Sequence, residues 1–169
     1  MQMKPFGAAT VALLLAGGAW AQDQSIIVQS TTSTANSGLY GTARADLMYN
    51  DFVIVGPEGD PAGVGGMDDV QGAMGKIAEA GALFASRGDD SGTHKKEMAL
   101  WSDSGVDPTA ASGDWYRETG SGMGATLNAG IGMGAYVMTD RATWISFDNK
   151  QDYQIQVECD EDMFNQYGV

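Results

Sequence analysis

Arg87, Asp89, Asp90, Ser91, Thr93 and His94 crowd into one short stretch, SRGDDSGTH (86–94). Three chemistries fit these residue types. An arginine offers a planar fork that suits a tetrahedral or carboxylate oxyanion, and Ser and Thr hydroxyls add neutral donors. If the stretch opens a helix, the free backbone N–H groups of the first turn add partial positive charge at the same place. Alternatively, two carboxylates near an imidazole could ligate a divalent cation through oxygen. That spacing matches no EF-hand loop, and Arg87 would compete with the metal. The third reading is ordinary capping, since Ser and Asp are common at helix starts.

Two further segments share the design of a strand end, small or hydroxyl residues, then a helix start: QSTTSTANSG (29–38) and GSGMGATL (120–127). Three such turns in one chain, one flanked by an arginine, bring anion binding level with capping. Asp89 or Asp90 would then hold the Arg87 rotamer and cap the helix. Catalytic patterns are thin. The chain has no G-x-S-x-G elbow, and His94, its one histidine, is poorly placed for a serine triad. GIGMGA (130–135) resembles half a dinucleotide fingerprint but does not directly follow a strand-like run. Cys159 has no visible base partner. Trp101, Trp115, Tyr116 and Trp144 are expected in the core, and His94, Lys95 and Lys96 on a solvated helix face.

The elements that must position these turns can be read from periodicity. IIVQ (26–29) and the β-rich run 47–66, punctuated by Gly and Pro, predict strands. Residues 67–81 place Val70, Met74, Ile77 and Ala78 at helical spacing. A strand is predicted over 82–86, a helix over 93–105 stopped by Gly105, and a strand, turn and helix start over 114–130. Runs 135–140 and 153–158 predict strands flanking RATWISFDNK (141–150). The repeated order predicts an α/β fold with a largely parallel sheet, which gathers ligands at the carboxyl ends of its strands.

Composition sets the outer bounds. Lys4, an apolar run from Ala8 to Leu15 and Ala19-Trp20-Ala21 read as a signal peptide over 1–21, with a mature domain over 22–169 and a periplasmic or extracellular destination. Removing it takes the net charge from −13 to −14. Such a charge excludes nucleic acid and anionic membrane surfaces as partners. A single cysteine leaves no intramolecular disulfide.

Several runs together resemble the periplasmic tungstate-binding proteins of ABC importers, within the type II periplasmic binding protein superfamily. They are TTSTANSGL (31–39), MYNDFVIVGPEGDPAGV (48–64), SRGDDSGTHKKEMALW (86–101), GDWYRETGSGMGATLN (113–128), TDRATW (139–144) and FNQYGV (164–169). The resemblance implies two α/β lobes, each a sheet with helices on both faces, clamping a dehydrated oxyanion. Thr31, Thr32 and Ser33 would donate from the first lobe. Arg87, Ser91, Gly92 and Thr93 would donate from the second, and the turn at Met123, Gly124 and Ala125 would add backbone N–H groups. It implies no cofactor and no resident metal, a tungstate or molybdate ligand, permease subunits as partners and a monomeric binder.

The family has a much longer stretch between SGL and MYNDF, and continues beyond YGV. The expectation is therefore an incomplete first lobe, with 22–66 its remnant and 67–169 mostly the second lobe. Other readings stay open at this level: a molybdate, sulfate or phosphate binder, a nonfunctional fragment of such a protein, or an exported metal-dependent hydrolase using Asp89, Asp90 and His94.

Overall fold

The computed structural model describes residues 46–168. The expected signal peptide, the strand at 26–29 and the hydroxyl-rich turn with Thr31, Thr32 and Ser33 lie outside the described residues. The described elements are β1 (Asp46–Pro57), α1 (Val70–Ala80), β2 (Phe84–Ser86), α2 (Gly92–Asp103), β3 (Tyr116–Glu118), α3 (Met123–Met133), β4 (Tyr136–Asp140), α4 (Arg141–Ser146), β5 (Tyr153–Val157) and β6 (Phe164–Gly168). Short 3₁₀ turns occupy Pro108–Ala111 and Glu161–Met163.

The strands form one sheet in the order β3-β2-β4-β1-β5, with β6 paired to the first half of β1. β2 runs parallel to β3 and β4, whereas β1 runs antiparallel to β4, β5 and β6. The largely parallel sheet expected from the sequence is thus mixed. The physical reason is β1, which lies at the centre of the sheet and opposes each neighbour. Its register passes from β6 at Asp51–Phe164 to β4 at Phe52–Asp140.

Alternation along the central strands sorts side chains to two faces. Phe52, Ile54, Tyr136 and Met138 join α1, α2 and Trp101 in one core, and Val53, Val55 and Val137 join α3 and Trp144 in the other. Both faces are buried, which is why FVIV and YVM read as unbroken apolar runs. Val70, Met74 and Ile77 are fully buried as their spacing predicts. Trp101, Tyr116 and Trp144 are core residues, and Trp115 packs against the core from a half-buried position.

Segment 141–150 carries no clear periodicity, yet its first part folds as α4 (Arg141–Ser146), capped by Asp140, whose side chain accepts from Thr143 N–H. GIGMGA closes α3 and is no dinucleotide turn. Gly130 faces β4 so closely that a Cβ there would collide with the Val137 side chain. The Tyr153 hydroxyl donates to the Gly130 and Ala135 carbonyls at 2.9 and 3.1 Å, tying the end of α3 to β5. Among the described residues no helix is long and apolar enough to cross a membrane.

Candidate functional site

β2 and β3 are parallel neighbours, so both end at the same edge of the sheet. Each hands over to a helix there, α2 after β2 and α3 after β3, on opposite faces of the sheet. The turn 87–91 and the turn 119–122 therefore lie side by side at the strands' carboxyl ends. They are stitched together: Thr119 N–H donates to Ser86 O at 2.9 Å, and Ser121 N–H donates to Arg87 O at 3.2 Å. The Thr119 hydroxyl reaches Ser86 O at 3.1 Å and shares a 2.7 Å hydrogen bond with Thr126 Oγ1. Gly88 adopts φ +57° and packs so tightly on Glu118 that no Cβ would fit. The glycine is thus what lets the two turns touch.

Arg87 lies across this junction. Its Nη2 donates to Asp89 Oδ2 at 2.6 Å. Its Nε is buried and has no hydrogen-bond partner, the only such buried side-chain nitrogen or oxygen among the described residues. An orphaned buried donor is rare in folded proteins. Asp89 is held at a pKa of about 2, first by a hydrogen bond from the Ser91 side chain and then by Ser91 N–H and Arg87. It is the aspartate that fixes Arg87, as expected of one of the pair.

Ser91 caps α2, its hydroxyl accepting from His94 N–H at 3.3 Å. Ser91 N–H also donates to Asp89 Oδ1 at 3.2 Å, so both backbone and hydroxyl of Ser91 help to shape the turn. Gly92 and Thr93 occupy the first turn of α2, where N–H groups lack intrahelical partners. They face a cleft of about 440 Å³ whose other lining residues are Phe52, Lys96, Phe164 and Asn165. α3 starts at Gly122 with no side-chain cap, so the first-turn N–H groups of Met123, Gly124 and Ala125 receive no hydroxyl or carboxylate from the cap residue. Gly124 and Ala125 are exposed, whereas the Met123 side chain is buried against Leu127, so Met123 can offer only backbone.

The residues of the metal reading make other contacts within the turn. Asp89 is engaged by Arg87 and Ser91, and His94 Nδ1 accepts from Asp90 N–H at 3.1 Å. Among the described residues, no three His, Cys, Asp or Glu side chains gather about one point.

Beneath the turn lies a group that the sequence reading passed over. Glu97 is buried and accepts from the Ser86 hydroxyl (2.9 Å), Trp101 Nε1 (3.3 Å) and the Tyr116 hydroxyl (2.7 Å). Burial pushes its carboxyl up to about 7 despite those three donors. Desolvation, then the nearby Glu97 charge, raises the Tyr116 phenol far above its ordinary range. The available signal was position: Glu97 shares a helix face with Leu100 and Trp101, three and four residues on.

Comparison with known proteins fixes the lineage. Residues 21–169 match the family described as a PBP superfamily domain. The chain belongs to that superfamily. Its relatives include the tungstate-binding protein TupA of Peptoclostridium acidaminophilum, 47% identical over 131 residues, covering 76% of this chain and 45% of that protein. Among solved structures, the tungstate-binding protein TupA from Desulfovibrio alaskensis G20 superposes with TM-score 0.70 and 47% identity, over 80% of this chain and 55% of that one. The structure of the tungstate ABC transporter from Geobacter sulfurreducens gives TM-score 0.66 and 41% identity, over 80% and 58%. This PBP-superfamily chain thus spans a third to a half of the curated relatives it matches.

Proposed function

We propose that this chain is an extracytoplasmic solute-binding protein that captures an oxyanion, tungstate first, for an ABC importer, and that it is not an enzyme. The observation that carries the reading is the buried, unpaired Nε of Arg87, in the turn that leads from β2 into α2 and whose backbone is bonded to the turn before α3. A tetrahedral dianion supplies the acceptor that Nε lacks, and it accepts further bonds from the first-turn N–H groups of α2 and α3. The names of the relatives support tungstate as the anion. Thr31, Thr32 and Ser33 would close over it from the other wall. On this reading residues 1–21 direct export, residues 22–169 form the binding domain, the importer's permease subunits are the partners, and the chain works as a monomer without cofactor.

Thermal melting with tungstate, molybdate, sulfate, phosphate and Ca²⁺ tests it. A ligand at a hundred times its Kd stabilises the folded state by about 2.7 kcal/mol. Tungstate and molybdate, alike in size and charge, are expected to raise Tm by several degrees, with sulfate, phosphate and Ca²⁺ giving little. A folded sample unmoved by every oxyanion would refute the reading in favour of a nonfunctional fragment.

A further inference from the structure

We propose that Glu97 is a positioning residue for the anion-gripping turn, acting through Ser86, and that capture of the anion is coupled to a proton on its carboxyl. The inference rests on the reading of the Arg87 turn as an oxyanion grip.

The geometry is a short relay. Glu97 Oε2 accepts from the Ser86 hydroxyl at 2.9 Å, and Ser86 Oγ in turn accepts from Gly88 N–H at 3.2 Å. Ser86 ends β2, and Gly88, in a left-handed conformation packed on Glu118, follows Arg87 in the turn. The Ser86 hydroxyl therefore fixes the turn, and Glu97 fixes the hydroxyl. Glu97 lies five residues past Gly92 in α2, about 7.5 Å along the helix axis from the first-turn N–H groups.

No cation neutralises the carboxylate from the packed elements. β2 contributes only Ser86, and Arg87 just beyond it pairs with Asp89, while β3 contributes Tyr116, a donor to Glu97, Arg117, which is exposed, and Glu118, a second negative charge that opposes ionisation. α1 carries Lys76 and Glu79, both exposed. β4 carries Tyr136, committed to Asp60 at 2.6 Å, and Asp140, committed to the start of α4. On α2 itself, Lys95 is exposed, Lys96 lines the outer cleft, and the described contact of His94 is with the Asp90 backbone.

An ionised Glu97 repels a dianion held above it, and a protonated one does not. Protonation also keeps the scaffold. Oε1 still accepts from Tyr116 and Trp101, while the new O–H on Oε2 donates to Ser86 Oγ, reversing one hydrogen bond. The proton comes from solvent, the Ser86 hydroxyl hydrogen turns away from Oε2, and no other covalent bond is made or broken. By linkage, the anion binds more tightly to the protonated form and raises its population.

The test is calorimetric titration of the full chain with tungstate from pH 6 to pH 8, on the wild type, Glu97→Gln and His94→Gln. The amide of Glu97→Gln mimics the protonated carboxyl, its NH₂ donating to Ser86. The wild type is expected to bind at least threefold more tightly at pH 6 than at pH 8, and His94→Gln to keep that slope. Glu97→Gln should be flat, and at pH 8 at least as tight as the wild type. A wild type that binds without a slope, or a slope that survives in Glu97→Gln, overturns the proposal.

A ligand-free readout separates this from failure of the anion reading itself. The Gly88 amide resonance should titrate with pH in the wild type and not in Glu97→Gln. A wild type that binds no tungstate while Gly88 titrates overturns the function but leaves the positioning relay standing. A Gly88 amide indifferent to both pH and the substitution overturns the relay.

Discussion

Arg87 gives one nitrogen to Asp89 and keeps a buried one unpaired. With its carboxyl held at about 2, Asp89 stays ionised at any pH well above that. Asp89 has a depressed pKa, so its contribution to stability is complete above its ordinary range and is lost as pH falls from there through about 2. Asp89→Asn should therefore loosen the turn at neutral pH, seen as faster amide exchange at Gly88 and Ser91 and weaker anion binding.

Glu97 has the opposite sign. Its folded pKa of about 7 lies above the 4.5 of a free glutamate, so the folded state holds more protons between those values. Stability from this group is fullest below about 4.5 and declines as pH rises to about 7. Urea unfolding at pH 5 and pH 8 should show the wild type losing more stability than Glu97→Gln over that interval.

At the scale of elements, the sequence was most readable where burial dictates a period. The spacing of Val70, Met74 and Ile77 and the apolar runs of β1 and β4 are local consequences of facing a core, and they located those elements. The two described turns around Arg87 and Gly122 were equally legible, because capping residues and glycine act within a few positions. Strand direction was not legible. Whether β1 runs with or against β4 depends on pairing between residues some eighty positions apart, which no local pattern records.

Ion pairs made by tertiary contact were also hidden. Arg141 binds Asp51 through Nε and Nη2 at 2.7 and 2.6 Å and reaches Glu158 at 2.8 Å, clamping β1 where its partner changes from β6 to β4. Nothing near Arg141 in sequence announces either acid. Two predictions belong to this scale. Gly130→Val should cost about 1–3 kcal/mol in denaturant unfolding, because α3 cannot move off β4 without strain. Asp140→Ala should cost about 1 kcal/mol through the lost cap of α4.

For the whole molecule, net charge and site chemistry point in opposite directions. A chain of charge −13 repels a dianion at long range, so the proposed capture would depend on a few donors fixed at one end of the sheet. Surface attraction through scattered lysines would be screened by salt within about 10 Å at 0.1 M, whereas a partly buried grip is screened far less. On the proposed reading, the described residues supply one wall of the grip and the 440 Å³ cleft at the start of α2.

The most direct test of the account is isothermal calorimetry of tungstate against the full chain, compared with Arg87→Ala and Lys95→Ala. A hydrogen bond to a charged group contributes about 1.5–3 kcal/mol, and each 1.4 kcal/mol is tenfold in affinity. Arg87→Ala should therefore weaken binding by at least about tenfold, while the exposed Lys95→Ala should stay within about twofold. Equal losses in the two variants, or undiminished binding by Arg87→Ala, would contradict the account.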